Sequence, residues 1–342
     1  MQLTTIKLRT PYLVFLGDER DPLNAKTAFG IVEWARERCA GQLRFPQCPV
    51  DTGLPDLDLD DAISAGVGTV VIGVAPVGGV LQQNWIPPLI ALARAGIDIA
   101  SGLHSKLTDI RELVEAAQAS GARLVDVRVP PPDLPCGLGQ RRSGRRVLTV
   151  GTDCAVGKKY SALALQRELH ARGVDATFRA TGQTGIMIAG EGIPIDAVVS
   201  DFVSGAAEAL SPDNRDEHWD VIEGQGSLIH PAYAGVTLGL IHGSQPDALV
   251  LCHDASRHKI LEVDGPFSIP PLDELIDTYL SAARLTNPDC ICVGISVNTS
   301  MLSPEKRENY LSKLMNRFGL PVTDPVAAGM RPIADFMLDR LK

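Results

Sequence analysis

Unbroken apolar runs alternate with stretches of helical period along the chain. Leu13-Val-Phe-Leu16 is wholly apolar, closes on Gly17-Asp18, and leads into a helical pattern over residues 25–39. A shorter helix over 60–65 precedes Thr69-Val-Val-Ile-Gly-Val74, whose β-branched run suits a strand buried on both faces. Pro76-Val-Gly-Gly79 then turns the chain toward a helix over 87–95. Ile97-Asp-Ile-Ala100 is the next strand, 109–119 the next helix and 123–129 the last strand of this half. Repeated strand–helix units of this kind predict a doubly wound parallel sheet.

The rhythm breaks at Pro130-Pro-Pro-Asp-Leu-Pro135 and Arg141-Arg-Ser-Gly-Arg-Arg146, too rich in Pro, Gly and charge for a packed element. It resumes with Val147-Leu-Thr-Val150, and further strands are expected at 176–179, 221–222, 248–251 and 290–297. Helices are expected at 160–171, 272–283 and 304–318, with another opening at Asp201 and including Glu208. The predicted organisation is α/β throughout. A Rossmann-like doubly wound domain covers 1–130, a linker 131–146, and a P-loop NTPase-like α/β domain 147–342.

The second domain opens on its most informative stretch: Gly151, Thr152, Asp153, Cys154, Ala155, Val156, Gly157, Lys158, Lys159 and Tyr160. A strand, a glycine-bounded loop with a lysine, and a helix start form a phosphate-binding loop. Its N–H groups and the helix N-terminus face an anion, and the lysine adds a point charge. Five residues separate the glycines, where the usual loop has four. Lys159 stands where a Ser or Thr hydroxyl would hold Mg²⁺. An ammonium cannot ligate a metal but can neutralise another phosphate. The loop is therefore read as a handle for a polyphosphate, with Mg²⁺ compatible but not required.

Asp220-Val-Ile-Glu-Gly-Gln-Gly-Ser-Leu-Ile-His230 is the second constellation. Glu223 falls at the carboxyl edge of a strand, the edge where open α/β sheets bind ligands. It is suited to managing Mg²⁺ or water, to acting as a general base, or simply to capping a turn. Gln225 and Ser227 offer hydrogen bonds to a substrate, and His230 is a second candidate base. Gln183 and Thr184 lie in a glycine-flanked loop after the 176–179 strand that ends in Arg179. Asp201 is either a helix cap or a carboxylate for an ammonium group. Histidines 230, 242, 253 and 258 lack zinc spacing, so no residue is assigned to a metal. Gly73 and Gly79 do not make a dinucleotide fingerprint.

Composition narrows the partners. A formal charge of −9 argues against nucleic acid or an anionic membrane, while leaving room for a local cationic pocket. The seven cysteines show no CxxC pair and fit reduced thiols. The start, Met1-Gln-Leu-Thr-Thr-Ile-Lys, has no signal-peptide core and no run reaches membrane-spanning length, so a cytoplasmic location is expected.

Two resemblances follow from these motifs. Gly151-Thr-Asp-x-x-Val-Gly-Lys158 with Val221-Ile-Glu-Gly-x-Gly226 looks like the dethiobiotin synthetase and cobyrinic acid synthetase branch of P-loop proteins, which use ATP and Mg²⁺ to activate a carboxylate. A longer resemblance is to the DgcN family, long catalogued only as a domain of unknown function. It is carried by Lys26-Thr27, Arg179-Ala-Thr-Gly-Gln-Thr-Gly185, Asp201-Phe-Val-Ser-Gly-Ala-Ala-Glu208, Ile222-Glu-Gly-Gln-Gly-Ser-Leu228 and His242-Gly-Ser-Gln-Pro-Asp247. That resemblance implies N-acetylation of D-glutamate by acetyl-CoA, the first step of D-glutamate catabolism. Acetyl-CoA would be a co-substrate, with no tightly bound cofactor. The loop would grip the pyrophosphate of CoA without cleaving it. Asn298 occupies the place where related P-loop ligases contact adenine, with Thr323-Asp-Pro325 across from it.

On this reading acetyl transfer is direct. Glu223, or failing that His230, takes a proton from the amine. Arg179, Lys159 and Arg257 are candidates for the substrate carboxylates. Cys154, inside the loop, offers a covalent route as the alternative. A homo-oligomer is expected. The rival classes are an ATP- and Mg²⁺-dependent ligase or kinase, against which Lys159 counts, and a nucleotide sensor, which needs less polar apparatus than this.

Overall fold

The Tyr12–Gly17 strand is buried at every residue and forms the interior of a five-stranded parallel sheet. Its neighbours run in the order Cys39–Arg44, Tyr12–Gly17, Thr69–Ile72, Asp98–Ser101, Leu124–Asp126. Counted along the chain this is 2-1-3-4-5, a doubly wound order. The computed structural model describes residues 5–76, 79–261, 263, 265 and 267–341. They form two units. One holds the chain up to Pro131 with Gly182–Ala197, and the other holds Pro132–Thr181 and the chain from Val198 onward.

In the N-terminal unit the first helix, Lys26–Ala35, stops short of residue 39, because Cys39 opens a further strand, Cys39–Arg44. Cys-Ala-Gly-Gln-Leu-Arg lacks the β-branched residues that announce a strand. Packing selects it instead: a Cβ on Gly41 would fall 2.5 Å from Leu57 Cγ. The last strand is only Leu124–Asp126, and its terminal carboxylate turns aside to accept the Leu107 amide at 2.8 Å. The predicted turn at Pro76-Val-Gly-Gly79 lies partly outside the described residues.

Residues 182–197 depart from the predicted boundaries. Instead of a loop within the second domain, the chain forms the helix Gln183–Ala189 and the strand Glu191–Gly192, both packed in the N-terminal unit. The strand pairs antiparallel with Ile6–Lys7. Thr184 Oγ1 lies 3.3 Å from Thr27 Oγ1.

The C-terminal unit holds a six-stranded parallel sheet. Its order is Val322–Thr323, Ile291–Asn298, Ala248–Asp254, Arg145–Gly151, Trp219–Ile222, Ala176–Arg179. Arg145–Gly151 therefore sits between two later strands, with crossovers leaving to both sides. Its carboxyl end is a topological switch point, where open α/β sheets bind ligands. The Pro- and Arg-rich segment is strapped onto this unit. Glu208 accepts the Leu138 and Gly139 amides at 2.9 and 2.6 Å, and Arg142 donates to Gly243 O at 2.6 Å.

Two further helices escaped the sequence reading, Ala234–Ser244 and Arg331–Arg340. The first carries three glycines, which disfavour a helix locally. Tertiary packing requires two of them, since a Cβ on Gly243 would lie 2.1 Å from Ser204 O and one on Gly239 2.5 Å from Val203 Cγ1, while Gly235 has nothing within 4 Å. Among the described residues no helix is long and apolar enough to cross a membrane.

Candidate active site at the phosphate loop

The Arg145–Gly151 strand delivers the loop, and Lys158 begins the following helix, Lys158–Ala171, two residues earlier than predicted. Ala155 and Gly157 take left-handed φ of 54° and 99°. Turns of this hand let successive N–H groups face one anion. The helix has no side-chain cap, so its first-turn amides are not spent on one. Lys158 is only 7% exposed and its Nζ donates to Asp153 O at 2.8 Å. Burial pushes its ammonium below the ordinary lysine value, against the pull of Cys252, Cys154, Asp153 and Glu223. Lys159 is half-buried and is lowered for the same reason, with Glu223 opposing. Its Nζ lies 4.7 Å from the Tyr160 ring centroid. Two desolvated cations side by side stabilise each other only when an anion joins them.

Three braces hold the loop. Asp153 is fully buried and accepts the Cys154 amide at 2.7 Å, the Leu261 amide at 2.7 Å and Arg257 at 3.2 Å. Arg257 also donates to Cys154 O at 2.6 Å, so it clamps the loop. The second brace is His253, whose Nδ1 lies 3.1 Å from Thr152 Oγ1 and whose Nε2 lies 3.0 Å from the Tyr310 hydroxyl. Burial pushes this imidazole down to about 4. The third is Tyr279, a buried phenol that donates to Gly151 O at 2.6 Å and accepts the Leu228 amide at 3.1 Å. Sequence reasoning missed both His253 and Tyr279. Tyr279 reads as one more residue of an amphipathic helix, and His253 ends an otherwise apolar strand.

The facing wall is the turn after Trp219–Ile222. Glu223 is 4% exposed and accepts the Thr181 amide at 3.0 Å. Thr181 Oγ1 donates to Glu223 O at 2.7 Å and accepts from Gln225 Nε2 at 2.9 Å. Gly224 makes the approach possible, because a Cβ there would fall 1.7 Å from Thr149 O and 3.1 Å from Lys158 Cδ. Ser227 Oγ lies 3.4 Å from the Tyr279 hydroxyl. His230 is buried. The Ala232 amide donates to its Nδ1 at 3.2 Å, so Nε2 carries the proton and donates to Leu261 O at 3.1 Å.

Other predicted residues are engaged elsewhere. Arg179 spends its Nε on Asp220 at 2.6 Å. Asp201 is exposed in the turn Ser200–Phe202, and the cap position of the next helix is Phe202. Gln183 and Thr184 belong to the N-terminal unit, where the Gln183 amide lies beside Gly102 and Arg128 and bridges them once its oxygen and nitrogen are exchanged. Asn298 donates to Asp254 at 3.0 Å and accepts the Ser300 amide at 3.1 Å. Asp324 accepts the Thr299 amide at 3.0 Å.

Comparison with known proteins bears on this arrangement. Residues 135–334 match the domain of unknown function DUF1611_C, a P-loop domain, and residues 45–130 match DUF1611_N, a Rossmann-like domain. The chain belongs to the DUF1611 family. Two curated relatives are both named D-glutamate N-acetyltransferase. One, from Tritonibacter scottomollicae, is 49% identical over 328 residues, covering 96% of this chain and 98% of its own. The other, from a Pseudoalteromonas species, is 46% identical with the same coverage. A crystal structure of a DUF1611 protein from Anabaena variabilis superposes with a TM-score of 0.81 at 32% identity, covering 97% of this chain and 100% of that one. DUF1611 membership accounts for both the P-loop and the Rossmann-like architecture.

Proposed function

We propose that this DUF1611 member is a D-glutamate N-acetyltransferase that draws its acetyl group from acetyl-CoA. The observation that carries the donor assignment is the phosphate loop itself. Lys158 and Lys159 are both desolvated beside an uncapped helix start. Lys159 occupies the position of a Mg²⁺ ligand. Such a loop binds a diphosphate without the metal needed to cleave it. The acceptor assignment rests on the two relatives named for this activity.

In this reading Lys158 and Lys159 neutralise the CoA diphosphate. Glu223 takes a proton from the ammonium group of D-glutamate, which attacks only as the free amine. Its carboxylate is held toward this task by the Thr181 amide. Backbone N–H groups of the Gln225-Gly226 turn stabilise the charge that develops on the acetyl oxygen. Gln225 and Ser227 line the substrate side, with donors of Arg257 and Arg179 not spent in their present bonds as partners for the carboxylates. His230 has both ring nitrogens on backbone groups, which leaves Glu223 as the base for the amine. We place the enzyme in the cytoplasm, on its scattered cysteines, which suit a reducing compartment.

The test is thiol release from acetyl-CoA with D-glutamate, with L-glutamate, and with ATP hydrolysis followed in parallel. Release with D-glutamate, no ATP turnover and little effect of EDTA are expected. Strict Mg²⁺ dependence with ATP turnover would overturn the reading in favour of a carboxylate-activating ligase.

A further inference from the structure

Arg307, on the helix Pro304–Phe318, is half-buried, and its guanidinium donates to no other group among the described residues. Its Nε is fully buried. Arg142 and Arg146 also bury an Nε without a partner, but each spends its other nitrogens on backbone carbonyls. The helix of Arg307 cannot supply a counter-charge. Three and four residues away stand Ser303, Pro304, Tyr310 and Leu311, none of them acidic. Asp254 acts on the neighbouring Tyr310, but its oxygens already accept Ser256 at 2.9 and 2.6 Å and Asn298 at 3.0 Å. A guanidinium left in this way has given up water without gaining a protein partner, which suits a ligand anion.

Arg307 lies on the same sheet edge as the phosphate loop. Cys252 pairs with Gly151, and His253 pairs with Val297, so three strand ends stand side by side. The strands Ala248–Asp254 and Ile291–Asn298 are one and two spacings from the strand of the loop, about 5 and 10 Å. The helix begins after the short connection from Asn298, and Tyr310, Leu311 and Leu314 pack it against Ile295 and Val297. Tyr310, one turn beyond Arg307, has its hydroxyl 3.0 Å from His253 Nε2, and His253 Nδ1 lies 3.1 Å from Thr152 Oγ1 in the loop. A helical side chain leans toward the start of its helix, which carries Arg307 toward the connection from Asn298. This is the flank of the loop opposite the strand Trp219–Ile222 and its Glu223 turn.

We propose that Arg307 receives the 3′-phosphate of acetyl-CoA and selects this donor against nucleotides that lack it. The inference rests on the acetyl-CoA reading above. In CoA the 5′-diphosphate and the 3′-phosphate hang from one ribose. A loop that holds the first therefore needs a separate cation, a sugar's width away, for the second. Lys158 and Lys159 are committed to the diphosphate, whereas Arg307 is uncommitted and lies to one side of them. A phosphate monoester carries nearly two negative charges at neutral pH, and its oxygens match the guanidinium fork. ATP and ADP offer only a hydroxyl at that position, which leaves the cation unneutralised. Arg307 is thus a specificity residue. It binds the far end of the donor and takes no part in the bonds that change.

The experiment compares acetyl-CoA with acetyl-3′-dephospho-CoA as donors, using the full chain and D-glutamate as acceptor. The native enzyme should favour acetyl-CoA in kcat/KM by about 10–10²-fold, with the difference in KM and little in kcat. Arg307→Met keeps the length of the side chain without its charge. It should lose the preference, because acetyl-CoA weakens to the level of the dephospho donor. Arg307→Lys keeps a point charge without the fork and should retain part of the preference, and it carries the test should the Met variant misfold. Calorimetry of the native protein should likewise find adenosine 3′,5′-bisphosphate tighter than adenosine 5′-phosphate. Equal use of the two donors by the native enzyme overturns the proposal and leaves the acetyltransferase reading standing. A full preference that survives in Arg307→Met overturns the assignment to Arg307. No turnover with either donor overturns the acetyltransferase reading, and the proposal falls with it.

Discussion

The first strand of each parallel sheet ends in glycine at its carboxyl edge, yet the two ends are built differently. After Tyr12–Gly17 the space is plugged. Gly17 lies against the Trp85 indole, where a Cβ would fall 2.5 Å from Nε1. Asp18 accepts from that indole at 2.6 Å and from Asn84 at 2.8 Å. Glu19 accepts the Arg20 and Asp21 amides, each at 2.9 Å. Every one of these charges has its partners within a few residues or on the adjacent turn. After Arg145–Gly151 the corresponding space holds Lys158 and Lys159, both depressed by burial, facing a turn that carries buried Glu223. Topology offers a binding edge in both units. A site forms where the side chains leave desolvated charge to be matched by a ligand.

The comparison breaks most sharply at Glu223. Glu223→Gln keeps the shape and removes the proton acceptor, so kcat should fall by roughly 10²–10⁴ while acetyl-CoA affinity barely changes. Near-normal turnover would reduce Glu223 to a counter-charge for the two lysines. The plugged edge should respond in stability instead. Trp85→Ala removes a fully buried indole packed edge-on to Phe15 and should cost about 3–5 kcal/mol in denaturant unfolding. The kcat of the protein that remains folded should stay close to normal.

A smaller effect is expected from pH. His253 is neutral in the folded protein down to about 4, whereas an unfolded histidine titrates near 6.5. The unfolded chain therefore binds the proton first. The contribution of this site is complete above about pH 6.5 and is lost as pH falls toward 4, on the order of 3 kcal/mol in all. His253→Asn should flatten the acid limb of a stability–pH curve, and an unchanged limb would show that other groups govern acid unfolding. The smallest effect sharpens the ligand side. Lys158→Ala should weaken acetyl-CoA binding by at least ~1.5 kcal/mol, read by calorimetry, the scale of one charge-assisted hydrogen bond. Unchanged affinity would remove the loop from the donor site.

By itself the sequence determined the two parallel-sheet halves, the loop and the sheet edge on which the candidate site lies. These follow from local signals. Apolar runs such as Thr69-Val-Val-Ile bury themselves wherever the sheet lies, and glycine spacing around Lys158 reports a backbone that must bend around an anion. The tertiary structure alone decided what depends on partners distant in sequence. It drew residues 182–197 into the N-terminal unit, turning a predicted substrate loop into a helix. It made a helix of a glycine-rich segment because Ser204 needs the room. It assigned Arg257 to Asp153, 104 residues away, and Tyr279 to Gly151, 128 residues away. It also set His230 beside Cys154, although nothing near either residue in sequence points to the other. Hydrogen bonds and desolvation act across space, and the pattern along a chain records only the part of them that is local.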